Sequence, residues 1–184
     1  KVTLTATYEA VPYTERNEVG TSGELKVAIL PCYRFQNKFA KYSEQVIENL
    51  LACDADILVV SQVDYDTSCK RNTVDVVPTL RDALAEKYAY SYFAPGYVVG
   101  TTSDTDPGAG HVGHLVLSKY PILFSESIEL NTEPSEIRNA GHIIINMGTE
   151  EEPTRLGVYF THMGMATNWT SGKQNLYDVI NGAT

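Results

Sequence analysis

The stretch ADILVVSQVD, Ala55–Asp64, decides the fold of this chain. Its apolar run is typical of a buried strand, predicted over Asp56–Ser61, and it ends in a polar tip at Gln62. Apolar residues at helical spacing precede it and predict a helix from about Lys38 to Cys53. A further strand is predicted before that helix, over Leu25–Leu30. This strand, helix, strand order predicts a βαβ unit whose two strands lie parallel in one sheet.

The remainder of the chain continues a mixed pattern of helix and strand. A second helix is predicted over Val77–Tyr88, with a proline near its start, where proline is tolerated. Further strands are predicted at Tyr88–Phe93, His114–Ser118, Ile122–Leu130, Gly141–Asn146 and Arg155–Thr161. No helical pattern separates the last four strands, which predicts antiparallel neighbours. The Gly- and Asp-rich run Gly96–Gly113 is predicted to be a long connecting loop.

The two ends of the chain carry weaker patterns. Lys1–Ala10 alternates apolar and polar residues, as a half-buried strand does, and a polar link follows it. Ser171–Ile180 predicts a final short helix. The chain is therefore divided into an N-terminal strand and linker, residues 1–24, and a main domain, residues 25–184, of mixed α/β (α+β) class.

Composition and charge restrict the partners of the chain. It has 184 residues, of which 43% are hydrophobic and 20% charged, as in a soluble globular protein, and its formal net charge of −9 with a pI near 4.8 makes nucleic acid an unfavourable partner. No apolar run is long enough for a transmembrane segment. The absence of an initiator methionine and a glycosylation sequon at Asn168 point to a secretory route or an organelle lumen.

Four segments in chain order carry a resemblance to a known family. They are LKVAILPC (Leu25–Cys32), ADILVVSQVD (Ala55–Asp64), GHLVLSKYPI (Gly113–Ile122) and LGVYFTH (Leu156–His162). Together they resemble the endonuclease/exonuclease/phosphatase superfamily, which includes DNase I-like nucleases, sphingomyelinases and inositol phosphatases. The resemblance implies a DNase I-like two-sheet sandwich flanked by helices. The family's Asp-x-Asn and Asp-His motifs have no counterpart before Thr184, so the fold is expected to lack its last strands.

The resemblance implies a metal site in which the ligands have changed. Gln62 takes the position of a glutamate that binds a divalent metal in the family, and Pro31 falls where the family has an asparagine. A carboxylate about 4 Å from a cation gains roughly 4 kcal/mol at an effective dielectric near 20. The neutral amide of Gln62 should therefore bind the metal on the order of a thousandfold more weakly. Asp64 or Asp66 is the candidate substitute ligand, and Asp64 points to the same side as Gln62 only if the strand continues that far.

The remaining candidate site residues also follow from the resemblance. His162, in the Thr161-His162 pair, implies a catalytic histidine that stabilises developing charge, and Arg138 matches an arginine that commonly precedes the next family strand. His114 stands where the family pattern GNAILSRYPI has asparagine, which implies a substrate-binding position. His162 can equally be a histidine satisfied at a strand end. The H-x-x-H pair His111 and His114 is either a zinc site or, more simply, part of a hydrogen-bonded loop.

Two functions from different classes remain open. The first is a catalytically degenerate domain that acts as a binding or structural subunit of a larger assembly, with no cofactor and with a protein partner that covers the open C-terminal sheet edge. The second is a Mg²⁺-dependent phosphodiesterase or phosphatase whose last motifs lie beyond Thr184. A third possibility, an extracellular or toxin-like nuclease, conflicts with the acidic surface and the lack of Lys/Arg clusters.

Overall fold

A computed structural model describes residues 25–65, 74–99, 110–130 and 138–162 of the chain. Its strands are β1 (Val27–Pro31), β2 (Ile57–Tyr65), β3 (Tyr90–Val99), β4 (Gly110–Ser118), β5 (Ile122–Leu130), β6 (Arg138–Asn146) and β7 (Arg155–Thr161). Its helices are α1 (Phe39–Cys53) and α2 (Val76–Leu84), with a 3-10 turn at Tyr33–Asn37. The seven strands and the two α-helices were predicted in the sequence, but α2 ends at Leu84 rather than at the predicted Tyr88, and the 3-10 turn was not predicted. The predicted elements within 1–24 and at Ser171–Ile180 lie outside the described residues.

The strands form two sheets. Sheet A has the order β1-β2-β4-β3, and sheet B has the order β5-β6-β7. β1 and β2 are parallel, as the βαβ pattern predicts, and every other pairing is antiparallel. The two sheets and the helices confirm the predicted mixed α/β class with two sheets.

β2 lies at the centre of the sandwich and is buried on both faces. Leu58 and Val60 pack in one cluster with side chains of α1 and α2, while Ile57 and Val59 pack in a second cluster with side chains of sheet B. Successive residues of a strand point to opposite faces, so a strand with protein on both faces must be apolar throughout. This is the physical reason that the run ILVV shows no polar alternation.

The predicted loop Gly96–Gly113 is wrong at both ends, because β3 and β4 extend into it. Tyr97 pairs with Val112 across the two strands. The glycines that suggested a loop mark close packing instead: a Cβ on Gly96 would overlap the carbonyl of Val112, and one on Gly113 would overlap the carbonyl of Ala94. Glycine here allows two backbones to approach, which is a strand function of glycine.

One side of the sandwich is open within the described residues. β3 packs against β5 and β6, so β1 and β7, which each pair with one strand only, are edges on the same, opposite side. Three apolar side chains of these edges remain partly in solvent: Val27 is 46%, Ile29 63% and Leu156 36% exposed. We call these three residues the open side. Among the described helices, none is long and apolar enough to cross a membrane.

Candidate functional site

The segment after β1 lies against the tip of β2. The parallel ladder places Pro31 beside Ser61, and the Cys32 amide donates to the Ser61 carbonyl at 3.1 Å. The Cys32 thiol donates to the carbonyls of Ser61 at 2.9 Å and Gln62 at 3.2 Å. Burial raises the pKa of this thiol to about 12, so it stays protonated as a donor. Pro31 has no side-chain oxygen that could coordinate a metal ion.

Gln62 is the extra residue of a β-bulge. Its φ is 58°, and the β2–β4 register shifts between Ser61 and Val63. A left-handed backbone at a non-glycine residue costs on the order of 1–3 kcal/mol and is often found at functional sites. Because of the bulge, Asp64 pairs with Val112, which lines the same cavity as Gln62. β2 continues past Gln62, but the bulge rather than simple alternation decides which way these side chains point.

A small cavity brings three of the predicted site residues together. Gln62, His114 and His162 line it, together with Tyr97 and Asn139. Its volume is about 10 Å³, enough for about one water molecule. The described residues therefore bring several polar side chains together around a small, half-open cavity.

His114 is the most buried member of this group, at 3% exposed, and its ring meets Phe160 edge-on with 6.0 Å between centroids. It lies on the face between the sheets. His111, three residues earlier on β4, lines a different groove together with Arg81 of α2. An odd spacing on one strand puts the two rings on opposite faces, so they cannot form a shared zinc site.

Asn139 is a site residue that sequence reasoning missed. It is 5% exposed, and its amide nitrogen donates to the Ala94 carbonyl at 3.2 Å and the Ser127 hydroxyl at 3.0 Å. Thr161 donates in turn to the Asn139 carbonyl at 2.8 Å. The side chain thus joins sheet A to sheet B at the cavity. The available signal in the sequence was a polar residue, directly after Arg138, at the start of an otherwise apolar strand.

Three other predicted site residues, Arg138, Asp66 and Asn168, and the predicted terminal helix lie wholly or partly outside the described residues. Arg138 begins β6, where its backbone pairs with Leu130, but its side chain is outside the description. Asn168 and the terminal helix are outside it as well. Their assigned roles stay predictions.

Asp64 is fully buried, and its carboxylate accepts a hydrogen bond from the Arg34 guanidinium at 2.7 Å. The Arg34 side chain is itself 15% exposed, so this is a buried ion pair. Arg34 comes from the 3-10 turn after β1, in which Tyr33, Arg34 and Phe35 have φ values of 44°, 53° and 50°. Nothing in the sequence resemblance pointed to Arg34.

The donors at this position do not fit a Mg²⁺ site. That ion is held by carboxylates and other hard oxygens in octahedral geometry. Gln62 offers an uncharged amide, Asp64 already binds a guanidinium, and Pro31 offers no side-chain donor. Within the described ranges, no three His, Cys, Asp or Glu side chains come together as a metal-binding group.

Solved structures supply the comparison with known proteins. No protein-family model matches the sequence, and no curated protein sequence matches it either. An endonuclease/exonuclease/phosphatase from Beutenbergia cavernae matches with a TM-score of 0.64 at 16% identity, over 85% of this chain and 43% of that one. The human Nocturnin catalytic domain with bound sulfate matches with a TM-score of 0.59 at 19% identity, over 87% and 58%.

Sphingomyelinase C from Streptomyces griseocarneus matches with a TM-score of 0.50 at 21% identity, over 86% of this chain and 59% of that one. The chain thus spans about half the length of the structures it resembles. At these identities the likeness concerns the fold. The two sheets, the helices on sheet A and these matches together show that the chain has the endonuclease/exonuclease/phosphatase, or DNase I-like, fold.

Proposed function

We propose that this chain is a catalytically degenerate domain of endonuclease/exonuclease/phosphatase fold that acts as a binding or structural subunit. The observation that carries this function is the ion pair of Asp64 with Arg34. Asp64 could have replaced the missing metal-binding glutamate, but its carboxylate is paired with the Arg34 guanidinium instead. Gln62 and Pro31 at the other ligand positions support the same conclusion.

The partner is inferred to be a protein that supplies an extended segment to the edge of β1. An edge strand presents backbone donors and acceptors, and a partner strand can extend the sheet by pairing with them. Val27 and Ile29 lie on that strand, so an incoming apolar strand would cover both. The net charge of −9 makes nucleic acid a poor alternative.

Light scattering of the isolated chain tests whether the open side is an interaction surface. Because the described residues leave the open side exposed, the chain is expected to associate, and its mass should rise with concentration. A stable monomer that unfolds cooperatively would remove this part of the proposal.

A Mg²⁺-dependent phosphodiesterase or phosphatase is the second candidate. It is favoured by the gathering of His114 and His162 beside Gln62 in one cavity, and by fold neighbours that include a catalytic domain with bound sulfate and a sphingomyelinase. In that case His162 stabilises the phosphate and Arg138 contacts substrate.

An assay with bis-p-nitrophenyl phosphate and Mg²⁺ separates the two functions. We expect no turnover above the buffer rate. Metal-dependent turnover that is lost on His162→Ala would overturn the degenerate assignment and establish the hydrolase instead.

A further inference from the structure

A groove on the helix-covered face of sheet A lies between α2 and the edge strand β3. Arg81 of α2, Phe93 of β3 and His111 of β4 are among the residues that line it. Its volume is about 460 Å³, whereas small-molecule sites measure roughly 300–1,000 Å³. The groove shares no lining residue with the cavity at Gln62 or with the open side. It is therefore a separate candidate site with room for a small molecule.

The groove exists because sheet A is wider than the helix beside it. α2 packs on β2, whereas β3 lies two places further along the sheet, in the order β2-β4-β3. Leu115 of β4 belongs to the core cluster beneath the helices. Residues two or four apart on a strand share a face, so His111 points to the same face as Leu115. The part of this face that lies beyond α2 forms the groove.

Two aromatic rings form the floor of the groove. Gly113 lies between His111 and Leu115 on β4, and a Cβ there would come within 2.8 Å of the tip of the Phe93 ring. The glycine thus lets this ring lie close over β4. Phe93 packs on Tyr65 with 5.0 Å between ring centroids and 56° between ring planes. Both rings are only partly buried, so a ligand ring can pack against them edge-on or offset.

The charge of the groove is positive. Among the described residues that line it, Arg81 carries the one formal charge, and none is a carboxylate. Asp82 accepts a hydrogen bond from Nε of Arg81 at 2.8 Å, and both side chains are exposed. A guanidinium has five N–H donors, so its two terminal nitrogens remain available for a second acceptor. An exposed ion pair contributes little stability, so Asp82 is a weak competitor.

We propose that this groove binds a small aromatic carboxylate, with its ring on Phe93 and Tyr65 and its carboxylate at Arg81. A planar carboxylate matches the two terminal nitrogens of a guanidinium. One cation balances a monoanion better than a phosphate monoester, which carries nearly two charges at neutral pH. The site goes beyond the proposed function. Its readout is ligand binding, so it can fail or hold independently of association through the open side.

Calorimetric titration of the chain with 2-naphthoate tests the proposal. We expect saturable one-to-one binding. The neutral 2-naphthamide has nearly the same shape but no charge, and it should bind roughly tenfold more weakly, because a hydrogen bond to a charged group is lost. This comparison uses the wild-type chain alone, so it does not depend on the folding of any variant.

Two variants then locate the ligand. Arg81→Gln should weaken 2-naphthoate roughly tenfold and leave 2-naphthamide unchanged. Arg155→Gln is the matched control, since Arg155 is exposed at the start of β7 in sheet B. Ser91 is an exposed residue of β3 that lines the groove, so Ser91→Trp should fill it and abolish binding of both compounds. Circular dichroism checks that each variant is folded.

Three results would overturn the proposal. One is the absence of saturable 2-naphthoate binding to the wild type. Another is equal binding of the acid and the amide, which would show an apolar groove that does not select an anion. The third is binding that survives Ser91→Trp or falls equally in the two arginine variants, which would place the ligand elsewhere.

Discussion

The substitution Ile29→Lys separates folding of the chain from association through its open side. Ile29 is 63% exposed, and its ladder neighbour Val59 belongs to the cluster between the sheets. In the isolated chain the substitution removes only the buried third of an isoleucine side chain, which is worth about 1 kcal/mol. The unfolding temperature should fall by only a few degrees.

In the associated state the same substitution costs more. Covering the exposed part of Ile29 contributes about 1.5 kcal/mol. A lysine ammonium placed under an incoming apolar strand costs about as much again, because it loses hydration without gaining an anion. A total of about 3 kcal/mol corresponds to roughly a hundredfold weaker association.

The assay is the concentration dependence of mass by light scattering, with unfolding followed by circular dichroism. Leu123→Lys is the matched control, since Leu123 is 51% exposed on β5, the edge of sheet B farthest from β7. It should leave association unchanged. Equal loss of association in both variants would show that general surface hydrophobicity, and not the open side, causes it.

Three further predictions concern single side chains. Burial raises the pKa of Cys32 to about 12, so this thiol should resist alkylation at mildly alkaline pH while the exposed Cys53 reacts. The free energy of unfolding should fall as pH rises from about 9 towards 12, because the thiol ionises at lower pH in the unfolded chain than in the folded one. Urea unfolding across that pH range measures this loss. Asn139→Ala should destabilise the fold by about 2–3 kcal/mol, since the Ala94 carbonyl loses a buried donor, as urea titration would reveal. Asp54, whose pKa is lowered to about 2 mainly by hydrogen bonds from lysine side chains, contributes stability that is lost as pH falls from about 4 to 2; Asp54→Asn should flatten that part of the pH profile of unfolding temperature.

Much of the fold could be read from the sequence because it depends on short-range periodicity. The runs around Leu58 and Phe39 specify a strand and a helix by apolar spacing alone, and their order specifies a parallel pair. The loop predicted at Gly96–Gly113 was wrong at its two ends because glycine occurs both in turns and in closely packed strand pairs. Only the neighbouring backbone distinguishes the two.

The site was predictable in part. Gln62, His114 and His162 were identified through family motifs, and the structure does bring them into one cavity. Asn139 was missed because its importance comes from a hydrogen bond that joins the two sheets, and its partner Ala94 is 45 residues away in the sequence. The local sequence pattern does not indicate a contact between residues so far apart in the chain.

The sequence by itself determined that ADILVVSQVD is a buried strand after a helix, and that the residue at its tip, Gln62, carries an amide. Only the tertiary structure decided what Asp64 does. The bulge at Gln62 and the left-handed turn at Tyr33–Phe35 bring Asp64 and Arg34, 30 residues apart, to 2.7 Å. Pairing at that range depends on backbone conformations that side-chain periodicity does not specify, so the cation at this site could be found only in three dimensions.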